Sequence, residues 1–462
     1  MRKSILFIGL GLHSRRIQFP YVIRKSKELG VDDVVILDIP SKKDEIGKYL
    51  NNSSFDGVKT HKYYTNKYID VKLLDYIVEK HAITHVILGT DPEHHFEYAK
   101  YLISKSLKVI MDKPIVAIPN AITDIKSADL ILSQFDELRH LYELHPQANV
   151  VVLSQRRYHP AYKKIADDIL ENFERTGIVP HYFYLFHSDG QLRILDEIDH
   201  ISYHGFNRGY GKVSHSGYHF IDTLYLYLKP FIAYGTINNF ALSAHHLSPA
   251  DYSHQLNEKV VKRIFSQEND IPPYEASSAG EIDAYITIQF KKDDRLVATA
   301  RIDMLHSGFS DRINFSPNKS DLYKGNGRIR HEKQIVMQGP IYAAYIDSLQ
   351  SKQINLNTGD SLTALGGEHH FELIRFNHAS SGKQVVTRKG INDLMNIKDL
   401  GYSRGHQEEA RYYSLTDFFS TSDKNERSKD SDLSDHRVSS LIMSSIYSAI
   451  SSQKVIEGRI SI

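Results

Sequence analysis

The chain has 462 residues, with 57 Lys+Arg against 56 Asp+Glu, 41% hydrophobic residues and no cysteine. Such a composition excludes global disorder, a coiled coil and collagen, and its length accommodates a sizeable core in more than one domain. The near-zero net charge argues against nucleic acid or an anionic membrane as main partner, and the missing cysteines exclude disulfides, thiolate catalysis and zinc–cysteine sites.

No stretch approaches the roughly 18 apolar residues of a membrane span. Met1-Arg2-Lys3 before Ile5–Ile8 imitates a signal peptide, but the apolar run stops at Gly9-Leu10-Gly11 and Arg15-Arg16 stand where a small-residue cleavage site would be. A buried first strand is the expectation, with a cytoplasmic location as the default.

The first 155 residues alternate short apolar strands with helices. Strands are expected at Ile5–Ile8, Val34–Leu37, His85–Leu88, Val109–Met111 and Asn149–Leu153. Helices are expected up to about Leu29 and over Val71–Lys80, Glu93–Ser106 and Ser127–Leu144. Non-alternating strands between helices predict a parallel sheet covered on both faces. After a helix at Ala161–Arg175 the texture changes. His181–His187, Ala284–Phe290, Val297–Met304, Gln334–Met337, Phe371–Phe376 and Gln384–Thr387 alternate as strands with one wet face. Ser420–Asp435, rich in Ser, Asp, Lys and Glu, reads as a mobile surface loop; Val438–Ile450 returns to helical periodicity and Val455–Ile462 to a strand. The expected fold is α/β: a dinucleotide-binding domain at 1–156, then a substrate and oligomerisation domain at 157–462. The second domain has an open, mainly antiparallel sheet, long insertions at about 240–430 and a C-terminal helix. Open one-faced sheets tend to pair, so a homo-oligomer is expected.

Three segments carry chemistry. Gly9-Leu10-Gly11-Leu12-His13-Ser14 follows a strand and opens a helix, as a G-x-G-x-x-S variant of the dinucleotide fingerprint. The first glycine allows the tight turn, the second lets pyrophosphate approach the backbone, and the helix start offers N–H groups. Ser14 replaces the usual Gly or Ala. Asp38, ending the second strand, suits the two hydroxyls of an adenosine ribose and so favours NAD, while Ser41-Lys42-Lys43 keep NADP open. Lys113, in Asp112-Lys113-Pro114 past a strand's carboxyl end, is placed to stabilise developing alkoxide charge. In Gly209–Asp222, His215, His219 and Asp222 fall at i, i+4 and i+7 of a helix. Two histidines and a carboxylate on one face permit a metal site or a general base; the Glu of H-E-x-x-H is absent and further ligands would be distant. No metal is expected. The pairs His94-His95, His245-His246 and His369-His370 have no specific spacing.

Together these motifs resemble the Gfo/Idh/MocA family of nicotinamide-dependent oxidoreductases. The resemblance rests on Gly9–Ser14, Thr90-Asp91-Pro92-Glu93-His94-His95, Asp112-Lys113-Pro114, Gln155-Arg156-Arg157-Tyr158-His159-Pro160 and Gly217-Tyr218-His219-Phe220-Ile221-Asp222, in the family's order. It is continuous over about 1–230 and returns at the closing helix. It implies a Rossmann domain and an α/β domain, Lys113 and His219 as catalytic positions, and Asp222, His215, Arg156 and Tyr158 at the substrate. It also implies a cofactor site drawn from Gly9, Gly11, Leu12, His13, Ser14, Arg15, Asp38, Thr90, His95, Asp112 and Lys113. The expected reaction is hydride transfer between NAD and a secondary alcohol or ketone of a sugar, cyclitol or related polar molecule, with His187, Tyr158 and Tyr210 as hydroxyl ligands. His215 stands where the family commonly has Asp. A second imidazole stabilises a protonated base poorly, which leaves a non-catalytic cofactor-binding sensor as the alternative.

Overall fold

The computed structural model describes residues 3–51, 57–190, 205–255, 259–260, 263, 280–310, 327–351, 358–424 and 426–462, so parts of the expected insertions at 240–430 lie outside the described residues. The chain forms two compact units: Met1–Ala117, Leu132–Tyr158 and Gln407–Ser440 in the first, Ile118–Ile131, His159–His406 and Leu441–Ile462 in the second. A division at residue 156 is continuous in sequence; these units are not.

The first unit holds β1 (Lys3–Ile8), β2 (Val31–Asp38), β3 (Lys59–Tyr64), β4 (His85–Leu88), β5 (Lys108–Met111) and β6 (Asn149–Val152), all parallel and ordered β3-β2-β1-β4-β5-β6. This is the doubly wound order, in which ligands sit beyond the carboxyl ends where the strand order reverses, at β1 and β4. Ile5, Leu6, Phe7, Val34, Val35, Ile36, Val86, Ile87 and Leu88 are wholly buried because helices cover both faces. The helix Val71–Lys80 starts where Asp70 accepts the Leu73 N–H at 3.2 Å. β3 escapes sequence reading: KTHKYY buries no residue fully and lies at the sheet edge.

Residues 407–440 return to this unit. The helix His406–Lys424 inserts Leu415, Phe418 and Phe419 into the core cluster of Phe7, Leu10, Ile17 and Phe19. The surface loop expected at Ser420–Asp435 is not found. Ser422, Ser428, Ser431 and Leu433 are buried, and Ser431 exchanges backbone and hydroxyl hydrogen bonds with Val152 (Val152 N–H to Ser431 O, 3.0 Å; Ser431 Oγ to Val152 O, 2.7 Å). An antiparallel bridge joins Val151 to Asp432, so the segment covers the edge left by β6. Small hydroxyl side chains can be buried when the backbone satisfies them, which hydropathy does not register. Arg157 fastens the segment: it is 1% exposed and donates to Asp435 Oδ2 (2.7 Å) and to the carbonyls of Asp430 (3.0 Å) and Asp435 (3.1 Å).

The second unit is built on β7 (Tyr182–Ser188), β8 (Asn239–Leu247), β9 (Asp283–Lys292), β10 (Arg295–Leu305), β11 (Ile329–Gln338), β12 (Tyr342–Ser351), β13 (Glu372–Asn377), β14 (Val386–Gly390) and β15 (Ile456–Arg459). Their order is β14-β13-β12-β11-β7-β10-β9-β8-β15, antiparallel except for β7 with β10. In β9, Ile286, Ile288 and Phe290 are buried while Tyr285, Thr287 and Gln289 are exposed, the alternation of a sheet covered on one face. That cover includes the helices Pro160–Thr176 and Tyr218–Ala233, which dock polar groups as well as apolar ones. Tyr162 donates to Glu332 Oε1 (2.6 Å) and Tyr227 to Gln334 Oε1 (2.8 Å), both acceptors on β11. No described helix is long and apolar enough to cross a membrane.

Replacing Arg157 by Ala leaves the Asp435 carboxylate and two carbonyls without their donor. We expect a loss of about 3 kcal/mol in the urea stability of the first unit's transition; an unchanged midpoint would contradict the fastening role.

Candidate functional site

At the carboxyl edge of the parallel sheet, β1 ends at Gly9, whose φ of +82° disfavours any side chain. A Cβ there would lie 2.8 Å from Gly89 O, at the end of β4. Gly9 N–H donates to Leu37 O and Gly89 N–H to Ile8 O, both at 2.9 Å, so the turn continues the sheet's own ladder. Gly89 in turn has no room for a side chain, since its Cβ would sit 2.6 Å from Ser14 Oγ. That pairing accounts for the serine at the third fingerprint position: Ser14 is 2% exposed, and the space it takes is left by a glycine on β4's end. Gly11, by contrast, has nothing within 4 Å of its missing Cβ, and Leu12 is 47% exposed.

Asp38 ends β2 with one carboxylate oxygen accepting the Leu10 N–H (2.8 Å) and the other accepting the Ile39 N–H (2.8 Å). It therefore holds the glycine turn. Arg15 pairs with Glu45, reaches Gly11 O through Nε (3.4 Å) and lies 5.8 Å from the Tyr49 ring centre. Glu45 also takes Lys42 at 2.9 Å, so that lysine is already paired with a carboxylate.

Behind the turn, His95 is wholly buried with Nδ1 2.7 Å from Pro114 O and Nε2 3.1 Å from Thr90 O. His95, an expected cofactor group, links the end of β4 to the turn that holds Lys113. Burial lowers its pKa, against the pull of the two carbonyls. Thr90 Oγ1 is buried and has no hydrogen-bond partner among the described residues. Lys113 is half-buried, its peptide bond to Pro114 is cis, and its N–H donates to Asp112 Oδ1 (2.8 Å). Burial pushes the Asp112 carboxyl up, but His13, Lys113 and His95 outweigh it and hold the group below the usual range. The His13 imidazole is pushed down to about 4, first by burial and then by the positive charge of Arg411. It is neutral at physiological pH, a hydrogen-bonding group rather than a cation. Arg411 sits on the returning helix, beside Glu408, which pairs with Arg16 at 2.7 Å. Sequence reading could not bring residue 411 to this place, because the contact spans most of the chain.

Arg156 and Tyr158 follow β6 in the same unit, both buried. The Tyr158 hydroxyl donates to Asp417 Oδ2 (2.8 Å) and lies 3.3 Å from Ser428 Oγ. Burial and the Asp417 charge raise its pKa well above the ordinary value.

The remaining predicted groups lie in the second unit. The helix Tyr218–Ala233 is preceded by a π turn at Val213–Gly217, closed by Gly217 N–H to Lys212 O at 2.8 Å. His219 is 5% and Asp222 0% exposed, three residues apart on one α-helical face. His215 lies within the wider π turn, where four residues fall short of a full turn, so it is offset from the face expected at uniform i, i+4 spacing. Close by is a cluster that sequence reading missed. Lys212, 2% exposed, pairs with Asp189 and lies 3.3 Å from His187 Nδ1, while His306 Nδ1 is 3.2 Å from Asp189 Oδ2. Burial disfavours the charge on Asp189, but Lys212 and His306 overcome it and hold the carboxyl well below the usual range. His187, an expected hydroxyl ligand, places Nδ1 beside this ion pair and stacks on Phe220 at 4.7 Å; Tyr210 is buried against Gly205. Its one sequence signal is a lysine inside the glycine- and histidine-rich run Gly209–Gly217. Among the described residues no group of three His, Asp or Glu side chains could hold a metal ion.

Comparison with known proteins agrees with the architecture. Chain positions 3–129 match the family model described as "Oxidoreductase family, NAD-binding Rossmann fold", Gfo/Idh/MocA. No curated protein sequence matches the chain. Solved structures similar to it include levoglucosan dehydrogenase in complex with NADH and levoglucosan, with TM-score 0.60, 12% identity and coverage of 99% of both chains. Myo-inositol 2-dehydrogenase from Lactobacillus plantarum gives TM-score 0.57 at 13% identity, again over 99% of both chains. Aldose-aldose oxidoreductase from Caulobacter crescentus complexed with glycerol gives TM-score 0.56 at 10% identity, over 99% of this chain and 100% of that one. At such identities the likeness is one of fold. The matched sequence and the glycine cradle it contains agree: positions 3–129, which hold β1 to β5, match the NAD-binding Rossmann fold of the Gfo/Idh/MocA oxidoreductase family.

Proposed function

We propose that this protein is an NAD-dependent oxidoreductase that moves hydride between nicotinamide and a secondary alcohol or ketone of a sugar, cyclitol or related polar small molecule. The observation that carries the reading is the fit of the carboxyl-edge cradle to a dinucleotide. Gly9 permits the close turn, Gly11 leaves backbone open to a pyrophosphate, Asp38 ends β2 at the ribose position, and Thr90 offers a buried hydroxyl that nothing described satisfies. NAD is favoured over NADP because a 2′-phosphate would meet Asp38, while Lys42 is already paired with Glu45.

When bound, NAD supplies the hydride acceptor or donor. The chain supplies the rest. Lys113 is the residue we assign to the reacting oxygen: its ammonium stabilises negative charge as the hydroxyl loses its proton. His219 is assigned as the base that takes that proton, its backbone fixed by the helix Tyr218–Ala233. In the reverse direction His219 returns the proton to the ketone oxygen. Asp222 shares the His219 face and is assigned to substrate hydroxyls, with His215, Arg156 and Tyr158 as further candidates at the substrate. The substrate class is supported by the fold neighbours, whose own ligands are levoglucosan and glycerol and one of which is an inositol dehydrogenase.

His215, in the place of a carboxylate, favours the second reading, a cofactor-binding sensor without turnover. Mixing the protein with NAD and a panel of polyols while following reduced-nicotinamide absorbance separates the two: turnover supports the enzyme, and calorimetric binding with no redox change on any polyol supports the sensor. Given turnover, Lys113→Ala is expected to lower kcat by about 100-fold or more, the scale of losing one oxyanion-stabilising donor; undiminished turnover would remove the assignment. Asp38→Ala is expected to weaken NAD by about tenfold, or about 1.4 kcal/mol, and to narrow the preference over NADP. Calorimetry with both dinucleotides checks this, and an unchanged ratio would contradict the role of Asp38.

A further inference from the structure

The π turn Val213–Gly217 begins with amide groups that its own helix cannot satisfy. Two side chains from distant parts of the second unit satisfy them. Val213 N–H donates to Glu281 Oε1 at 2.9 Å, and Ser214 N–H donates to Tyr447 Oη at 3.2 Å. The Tyr447 hydroxyl donates to the same Glu281 oxygen at 2.8 Å and lies 2.5 Å from Ser214 Oγ. Lys212 N–H donates to the Glu281 carbonyl at 2.9 Å, and a Cβ on Gly211 would lie 2.3 Å from that carbonyl oxygen. Glu281 and Tyr447 are 0% and Ser214 1% exposed. A buried carboxyl, a phenol and a hydroxyl thus form one cap on the start of the segment that carries His215 and, four residues on, His219.

We propose that Glu281, acting with Tyr447, is a positioning residue that locks this π turn and so sets the phase in which His219 is presented. The proposal rests on the reading of His219 as the base. A turn free to relax to α-helical bonding would rotate His215 and the preceding backbone relative to His219, so the cap acts on orientation without touching substrate.

Among the described residues few groups face Glu281. Tyr447 comes from the helix Arg437–Ser452, and Ser214 and the Gly211 and Val213 backbone from the turn. Asp283, two residues along, is occupied by the N–H groups of His306 and Ser307, and the Lys212 ammonium is committed to Asp189. The second Glu281 oxygen has no hydrogen-bond partner among the described residues. With no cation of the described residues against it, burial outweighs the donated hydrogen bonds and raises the carboxyl from 4.5 to about 7. The sign follows: the folded protein holds this proton more tightly than the unfolded chain. Its contribution to stability is complete below the ordinary value of 4.5 and is lost as pH rises through about 7.

The test uses the full chain with Glu281→Ala, Glu281→Gln and Tyr447→Phe. Amide exchange read by mass spectrometry over the turn is expected to accelerate by about tenfold or more at Val213 and Ser214 in Glu281→Ala, the scale of one lost cap. On a polyol that the wild type turns over, kcat is expected to fall by a similar factor, with NAD affinity unchanged. Glu281→Gln keeps an acceptor oxygen and is expected to recover most of both losses. It also removes one proton's worth of the stability decline between pH 4.5 and about 7. Wild-type exchange at Val213 and Ser214 in Glu281→Ala, or wild-type kcat beside accelerated exchange, overturns the proposal. If Glu281→Ala does not fold, Tyr447→Phe decides by faster exchange at Ser214 and lower kcat; wild-type values of both overturn it. If no polyol is turned over by the wild type, the functional reading fails, and exchange together with the pH dependence of stability still decides whether Glu281 caps the turn.

Discussion

The close approach of Gly9 to Gly89 is the constraint on which the dinucleotide site depends. Parallel strands β1 and β4 are neighbours in hydrogen-bonding register, and their chains leave the sheet at the same edge. With a Cβ at Gly9 sitting 2.8 Å from Gly89 O, two backbones occupy space where one side chain would part them. Several of the first unit's candidate site residues are arranged around that contact. Asp38 anchors the turn from β2, Ser14 fills the space that Gly89 leaves, and His95 ties the residue after Gly89 to the proline after Lys113. A glycine motif read alone is weak; a glycine whose missing Cβ would meet the backbone at the end of the adjacent strand is a structural necessity.

Much of this was legible in the sequence because parallel strands are written in continuous apolar runs. His85–Leu88 and Val71–Lys80 have the limits their residues suggest, and β1, β2, β5 and β6 differ by a few residues at their ends. What escaped reading escaped for identifiable reasons. β3 lies at an edge and buries no residue fully. β12 alternates in burial, but its buried positions Tyr342, Ala344, Ile346 and Ser348 and its half-buried positions Ala343, Tyr345 and Asp347 do not differ cleanly in polarity. The serine-rich stretch 420–435 looked unable to bury anything, yet Ser428 and Ser431 are buried through hydrogen bonds to Asp417 and to the β6 backbone. Hydropathy counts apolar area, and this segment is held by satisfied polar groups and by the Arg157 guanidinium instead.

The candidate site shows the same division. Gly9, Gly11, Asp38 and Lys113 were legible because strand ends and turns have local signatures. The electrostatic partners were not. Arg411, which with burial keeps His13 neutral, lies about four hundred positions further along the chain. Lys212 with Asp189 and His306, and Glu281 with Tyr447, depend on strands and helices brought together only in the folded second unit. Both helices that carry candidate site residues, after the glycine turn and at Tyr218, begin with a π turn, at Ser14–Gln18 and Val213–Gly217. Such turns are uncommon and concentrate where a side chain or backbone must be aimed off the α-helical register; no periodicity argument applied to the sequence marks them.

We propose that NAD bound in the cradle around Gly9 presents its nicotinamide to a substrate hydroxyl whose oxygen Lys113 stabilises. A crystal structure of the protein with NAD and a turned-over polyol tests it most directly. The expected result is the Lys113 ammonium within about 2.6–3.2 Å of the reacting hydroxyl oxygen, with the pyrophosphate against Gly11. A substrate oxygen held by other groups, or a dinucleotide bound away from the Gly9 turn, would contradict it.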